Sequence, residues 1–215
     1  MKPVIIVNFK SYEESTGKNA LKLAKICSEF LEKADIMVAV QAADICQIAK
    51  SVKIPVLGQH VDTGFGAFTG SINIKSVKEA GASGTLINHA EKKISSEAMG
   101  KAIEECKKLG LKTCVCAANE QEMMEALKSS PDYIAYEIPE LIGGNVSITS
   151  ANPDSVKDFV RKVGKVSKPL CGAGVKTGED VKKAVELGTC GVLLASGITK
   201  AADPRKALGD LLKLI

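Results

Sequence analysis

Short runs of apolar residues alternate along the whole chain with longer stretches in which apolar positions recur at a helical spacing. Most of the short runs consist of valine, isoleucine, leucine and alanine without a polar alternation, which is typical of strands covered on both faces in a parallel sheet. The pattern predicts eight strands, at residues 4–8, 36–40, 56–59, 85–88, 112–116, 133–136, 169–171 and 192–195.

The stretches between these strands predict amphipathic helices. Within residues 15–30, for example, Leu23, Cys27 and Phe30 recur close to a period of 3.6 residues, which gives one buried face. Gly110 and Gly188 each follow a helical stretch directly and indicate where it ends. The predicted helices are at residues 15–30, 96–109, 121–127, 153–163, 179–187 and 204–214.

Strict alternation of strands and helices requires a parallel sheet and an α/β fold. Two architectures satisfy it, an open doubly wound sheet and a closed (β/α)8 barrel, whose lower size limit is roughly 200 residues. Eight strands in 215 residues favour the closed barrel. Because no linker or low-complexity tract divides the chain, we expect residues 1–215 to form a single domain.

Composition excludes several classes of protein. With 45% hydrophobic and 25% charged residues, the chain is too apolar to be disordered. The net charge of +4 is spread without runs of like charge, so we expect no nucleic-acid partner. The apolar runs fall far short of the ~20 residues of a membrane span, and the first begins at Val4 without room for a signal peptide. We therefore expect a cytoplasmic protein that does not bind membranes.

One predicted loop, at residues 58–74, is too long for a plain connection between a strand and a helix. It contains Gly64, Gly66 and Gly70 and places Phe65 and Phe68 where a monomer would expose them to water. Long structured loops are usually functional or interfacial, so this loop predicts association between subunits.

Reactive groups in parallel α/β folds lie at the carboxyl ends of the strands. Lys10, His89 and Glu137 follow the first, fourth and sixth predicted strands, and glycine-containing loops at 171–175 and 195–197 follow the last two. Each feature alone has an ordinary explanation, since a lone lysine is usually solvated, a lone histidine is usually structural, and Gly-x-Gly is a weak signal.

Their joint occurrence on one rim favours a catalytic site. A carboxylate base, a histidine donor, a cation and two backbone cradles for an anion are what proton transfer on a small phosphorylated carbonyl compound needs. Cys114 and Cys116 share one face of a strand but lack nearby ligands, which favours buried core positions over a metal site.

The motifs at these positions together resemble the triosephosphate isomerase family, in its short archaeal-type form. They are Asn8-Phe9-Lys10, Asn88-His89-Ala90-Glu91-Lys92 and the segments 135–143, 171–175 and 194–197. The resemblance implies the TIM barrel, which is the closed (β/α)8 fold. It also implies the interconversion of dihydroxyacetone phosphate and D-glyceraldehyde 3-phosphate through an enediolate.

The resemblance further implies roles for individual residues. Glu137 would be the base, His89 the electrophile that hydrogen-bonds the substrate oxygens, and Lys10 the catalytic cation. Residues 138–146 would form a mobile lid. The substrate-binding positions would be Asn8, Lys10, Ile142, Gly143, Gly174, Ala195 and Ser196. No metal or cofactor is implied, and the expected partner is the chain itself in a homodimer or a homotetramer.

Three positions depart from the common family pattern. Asn88 stands where many members have glycine, Ala90 where most have serine, and Ser71 where glutamate is common. None of these positions is a proton-transfer group. Two alternatives remain: another phosphate-binding (β/α)8 enzyme, or a barrel that only binds a sugar phosphate. Neither is expected to combine Lys10, His89 and Glu137.

Overall fold

The computed structural model describes residues 2–141, 144 and 147–214. Eight parallel strands pair in chain order and close into a barrel, which confirms the predicted (β/α)8 TIM barrel. The strands are β1 (Val4–Asn8), β2 (Asp35–Val40), β3 (Val56–Gly58), β4 (Gly84–Ile87), β5 (Lys112–Ala117), β6 (Tyr133–Tyr136), β7 (Lys168–Cys171) and β8 (Gly191–Leu194). Each predicted strand lies within one residue of an observed one at both ends.

Helices connect the strands on the outside of the barrel. They are α1 (Gly17–Ser28), α2 (Ile45–Ala49), α3 (Ile74–Glu79), α4 (Ser96–Lys108), α5 (Glu120–Lys128), α6 (Ile148–Ala151), α7 (Pro153–Val163), α8 (Gly178–Glu186), α9 (Ser196–Thr199) and α10 (Pro204–Leu211). Short 3-10 turns lie at Glu13–Ser15, Ala42–Asp44 and Pro139–Leu141. In the described part of the chain, no helix has both the length and the apolar character needed to cross a membrane.

Four helices were not predicted, namely α2, α3, α6 and α9. None of them exceeds six residues, so none is long enough to show a helical period in its apolar positions. Local capping still marks some of them. The Asn73 side chain accepts hydrogen bonds from the first N–H groups of α3, and the Ser147 hydroxyl does the same for α6.

The strands bury side chains on both faces, in two separate cores. Alternate residues of β1 show the division, because Val4 and Ile6 point into the barrel while Ile5 and Val7 pack against the outer helices. The interior also contains Cys114 and Cys116, which confirms that both cysteines are buried core residues.

Closure of the barrel depends on a glycine at the contact between β1 and β8. Gly191 pairs with Val4, and its φ of +152° is rare for residues with a side chain. A Cβ atom at this position would lie 1.9 Å from the Val4 carbonyl oxygen. Because all strands run in one direction, closure brings their carboxyl ends to a single rim, where the loops that follow β1, β4, β6, β7 and β8 meet.

Candidate active site

A pocket of about 450 Å³ opens at this rim. It is lined by every described residue that the sequence predicted for the site: Asn8, Lys10, His89, Glu137, Gly174, Ala195 and Ser196. Two further predicted residues, Ile142 and Gly143, lie outside the described residues, as do positions 145 and 146 of the predicted lid. The structure therefore brings together groups from five strands that are far apart in the sequence.

Glu137 follows β6 directly, and its N–H donates to the Ala117 carbonyl oxygen at 2.9 Å, which continues the sheet by one residue. Its side chain is only 7% exposed. The Oε2 atom has no hydrogen-bond partner among the described residues. An unpaired oxygen on a buried carboxyl group costs stability, so such a group usually has a functional explanation.

The Cys116 thiol lies inside the barrel, where it interacts electrostatically with the Glu137 carboxyl group. Burial, followed by the negative charge of Glu137, raises the pKa of this thiol well above its ordinary value. The thiol therefore stays protonated. The sequence predicted the burial of Cys116 but not this contact, because nothing in the strand pattern shows which loop residue bends over the barrel interior.

Gly172 provides the space that the Glu137 side chain occupies. A Cβ atom at position 172 would lie 2.4 Å from Glu137 Cγ and 2.8 Å from Oε1. The sequence predicts that the glycine-containing loop at 171–175, to which Gly172 belongs, helps to cradle an anion. The structure instead places the Glu137 side chain against Gly172, a contact between neighbouring loops that spacing along the chain does not reveal.

His89 is buried, and one hydrogen bond from the backbone assigns its tautomer. The Glu91 N–H donates to His89 Nδ1 at 3.2 Å, so Nδ1 carries no proton and Nε2 carries the ring N–H. The Nε2 atom lies 3.7 Å from Glu137 Oε2. A neutral imidazole thus presents a donor to the same small space that the carboxylate borders.

Lys10 has a φ of +50°, which few residues with a side chain adopt. Several hydrogen bonds hold its backbone: its N–H donates to Asn8 Oδ1 at 3.0 Å, and its carbonyl accepts from the Gln41 and Gln59 amides. Its Nζ atom lies 2.6 Å from Glu91 Oε1. The backbone is therefore fixed in a strained conformation that points a cation at the pocket.

Two backbone segments border the other side of the pocket. Ala173 and Gly174 have φ values of +61° and +72°, and Ser196 begins the short helix α9. The N–H groups of Gly174, Ser196 and Gly197 have no hydrogen-bond acceptor among the described residues. Converging backbone N–H groups without acceptors can bind an anion.

His60, the second histidine of the chain, is not among the described residues that line this pocket. Its Nε2 atom lies 2.9 Å from Asp62 Oδ1, and Asp62 Oδ2 accepts the Ile72 N–H at 2.8 Å. Burial acts to raise the pKa of Asp62, but these hydrogen bonds outweigh it and the pKa is lowered. Asp62 thus joins the two ends of the loop at 58–74, and His60 supports Asp62.

Comparison with known proteins places the chain in a family. A family model described as triosephosphate isomerase matches residues 3–215. The chain belongs to the triosephosphate isomerase family. A triosephosphate isomerase from Methanobacterium bryantii is 48% identical, over 99% of this chain and 97% of the relative. One from Methanosarcina barkeri is 43% identical, over 99% of each chain.

A solved structure shows the same fold. The crystal structure of triosephosphate isomerase from Bartonella henselae matches with a TM-score of 0.76 at 20% identity, and covers 99% of this chain and 100% of that one. The resemblance stated from the sequence motifs is confirmed, including the likeness to archaeal triosephosphate isomerases, which this chain matches over nearly their whole length.

Proposed function

We propose that Glu137 moves the proton in the interconversion of dihydroxyacetone phosphate and D-glyceraldehyde 3-phosphate, the activity of the triosephosphate isomerase family. One observation carries this assignment: a buried carboxylate with a free oxygen lies 3.7 Å from the ring N–H of a neutral histidine. A base next to a donor is the arrangement that proton abstraction beside a carbonyl group requires.

In the forward step, the Glu137 carboxylate takes a proton from the hydroxymethyl carbon of the ketose. The electron pair of that C–H bond forms the carbon–carbon double bond of the enediolate, and the carbonyl oxygen becomes negative. The proton of the hydroxyl group on the first carbon moves to the oxygen of the former carbonyl group, and the same carboxyl group returns the carbon-bound proton to the neighbouring carbon, which gives the aldose. No net proton, electron or water is consumed, so the chemistry requires no cofactor.

His89 and Lys10 stabilise the charge that develops on the oxygen. His89 Nε2–H donates to the oxygen, and this hydrogen bond strengthens as the oxygen becomes negative. Lys10 Nζ lowers the energy of the anionic enediolate, while its contact with Glu91 and the hydrogen bonds to its backbone keep it in place. Asn8 lines the pocket beside Lys10 and contacts the substrate.

The phosphate group binds to the backbone N–H groups at Gly174 and at the start of α9, with Ala195 and Ser196 closing the cradle. In this proposal, residues 138–146 form a lid that excludes water, and Ile142 and Gly143 contact the substrate. A closed lid also protects the enediolate from losing its phosphate.

The decisive experiment compares wild type with the Glu137→Gln variant in a coupled assay of glyceraldehyde 3-phosphate formation. An amide cannot accept the proton, so we expect kcat to fall by ~10²–10⁴-fold while phosphate-ligand binding persists. A control variant, Glu105→Gln on α4, should retain wild-type kcat. A folded Glu137→Gln variant with more than about a tenth of wild-type kcat would contradict the assignment. An inactive wild type that still binds a triose phosphate would favour the non-catalytic alternative.

We also propose that the chain forms a homodimer or a homotetramer. Phe65 and Phe68 are 74% and 58% exposed on the loop at 58–74. Large apolar side chains at the tip of a structured loop favour insertion into a second subunit. Sedimentation of wild type should give a dimer or a larger species, and Phe65→Ser with Phe68→Ser should shift it toward the monomer. A monomeric, fully active wild type would contradict this proposal.

Two further inferences concern the chain as a whole. The barrel closes between β1 and β8, so we infer that residues 1–215 fold as one domain, which a single cooperative thermal transition would support. All seven cysteines are free thiols, which suits the reducing cytoplasm, and we infer that location. Cell fractionation with detection of the isomerase activity tests it.

A further inference from the structure

Asn88 immediately precedes His89 and has an unusual backbone conformation. Its φ is +61°, a value that asparagine tolerates better than most residues with a side chain. The residue is 4% exposed at the carboxyl end of the barrel, directly after β4. A buried, strained residue next to the proposed electrophile persists only if the surrounding contacts hold it.

The Asn88 side chain makes three such contacts. Its Nδ2 atom donates to the Cys116 carbonyl oxygen at 3.1 Å and to Glu122 Oε2 at 3.3 Å. Its Oδ1 atom accepts the Ile94 N–H at 3.2 Å. One side chain therefore connects both ends of the segment 88–94 to each other, to β5 and to α5.

Glu122 extends this connection beyond the segment. Its Oε2 atom accepts the Ala118 N–H at 2.8 Å and lies 2.7 Å from Lys93 Nζ, in addition to its contact with Asn88. The carboxylate on α5 thus holds both the segment 88–94 and the loop that follows β5. The N–H groups and the ammonium group around it make these charge-assisted hydrogen bonds.

The segment held in this way supplies His89 and also Glu91, whose N–H sets the tautomer of His89 and whose carboxylate contacts Lys10. We propose that Asn88, held by Glu122, is a positioning residue for the isomerisation: it fixes the segment so that His89 Nε2–H points at the substrate oxygen. This inference rests on the proposed roles of His89 and Glu137. It matters because a displacement of about 1 Å at a reacting group can cost roughly 10²-fold in rate.

The Asn88→Gly variant tests the proposal, because glycine accepts the positive φ and only the side-chain contacts are lost. We expect kcat to fall by about 10- to 100-fold, with KM changing by less than about threefold. Ser130→Gly is the matched control, since Ser130 also has a positive φ of +47° but lies after α5, at the opposite rim. It should retain wild-type kcat.

A spectroscopic measurement separates positioning from simple structural support. The chain has only two histidines, so the ¹⁵N imidazole signals of His89 and His60 can be resolved and assigned with a His60→Asn variant. In wild type we expect His89 to be the Nε2–H tautomer. In Asn88→Gly we expect its signals to shift toward a mixture of tautomers, while those of His60 stay unchanged.

A second variant, Glu122→Gln, keeps the size of the side chain but removes its charge. We expect a smaller fall in kcat and a smaller shift of the His89 signals than in Asn88→Gly, and this variant carries the test if Asn88→Gly does not fold. Folded variants with kcat within twofold of wild type and unchanged His89 signals would overturn the proposal. Failure of the proposed function would look different, because the wild type itself would then lack isomerase activity.

Discussion

Replacement of Gly172 by alanine should impair catalysis without disturbing the barrel. The φ of Gly172 lies outside the left-handed region, so alanine can adopt the backbone conformation. The added Cβ atom would lie 2.4 Å from Glu137 Cγ, whereas ordinary contacts begin at 3.4 Å. The Glu137 side chain, the loop after β7, or both must therefore move by about 1 Å, and a shift of this size at a reacting group costs roughly 10²-fold.

The assay is the coupled measurement of kcat and KM on purified Gly172→Ala, with a thermal melt of the same sample. We expect kcat to fall by about 10²-fold and the melting temperature to stay close to that of wild type. Gly209→Ala on α10 is a suitable control, because its Cβ would meet Phe30 at 3.6 Å, an ordinary contact. If Gly172→Ala kept kcat within threefold of wild type, the geometry of Glu137 against this glycine would not matter for the reaction.

Three other predictions concern acid stability, thiol reactivity and the lid. The hydrogen bonds from Lys213 and Lys206 lower the pKa of Asp210 from its ordinary value of 3.8 to about 2. The Asp210 carboxylate therefore stabilises the fold fully above pH 3.8, and this contribution is lost as the pH falls through about 2. Asp210→Asn should therefore flatten the loss of stability below pH 4 in acid unfolding monitored by circular dichroism, and an unchanged profile would refute the assignment. Cys46 is the exposed cysteine, so a thiol reagent should modify about one thiol rapidly in the native protein, and rapid modification of all the thiols would contradict the structure. Gly144→Val should lower turnover and raise the ratio of methylglyoxal to aldose. The reason is that a Cβ atom at position 144 would lie 3.1 Å from the Leu141 carbonyl oxygen and hinder closure of the proposed lid. An unchanged product ratio would argue against a lid at this loop.

The sequence predicts the barrel well because its strands are buried on both faces and its longer helices have one apolar face. The predicted bounds of β1 (Val4–Asn8), β6 (Tyr133–Tyr136) and α7 (Pro153–Val163) agree with the structure at both ends. The short helices were missed because none exceeds six residues, and only α3 and α6 have a side-chain cap. Such helices leave no period for a sequence pattern to show.

The site was predictable only in part, because the sequence pattern indicates where strands end but not which side chains contact one another. The ends of parallel strands must share a rim, so the order of the strands alone predicts that Lys10, His89 and Glu137 lie near one another. The contacts that support these three residues could not be predicted. Two such contacts are the one between Cys116 and Glu137 and the one between Asn88 and Glu122. These contacts join residues on different strands and helices, and they depend on side-chain directions that neither spacing nor composition specifies.

The pairing of β1 with β8 has a consequence for folding during synthesis on the ribosome. The strand Val4–Asn8 is synthesised before all the other strands of the barrel, and its partner Gly191–Leu194 is synthesised after all of them. Until then the nascent chain can form at most an open sheet, with one edge of β1 unpaired and apolar side chains uncovered. Such an edge readily pairs with other chains. Productive synthesis of this protein therefore depends on shielding β1 from other chains until β8 has been synthesised.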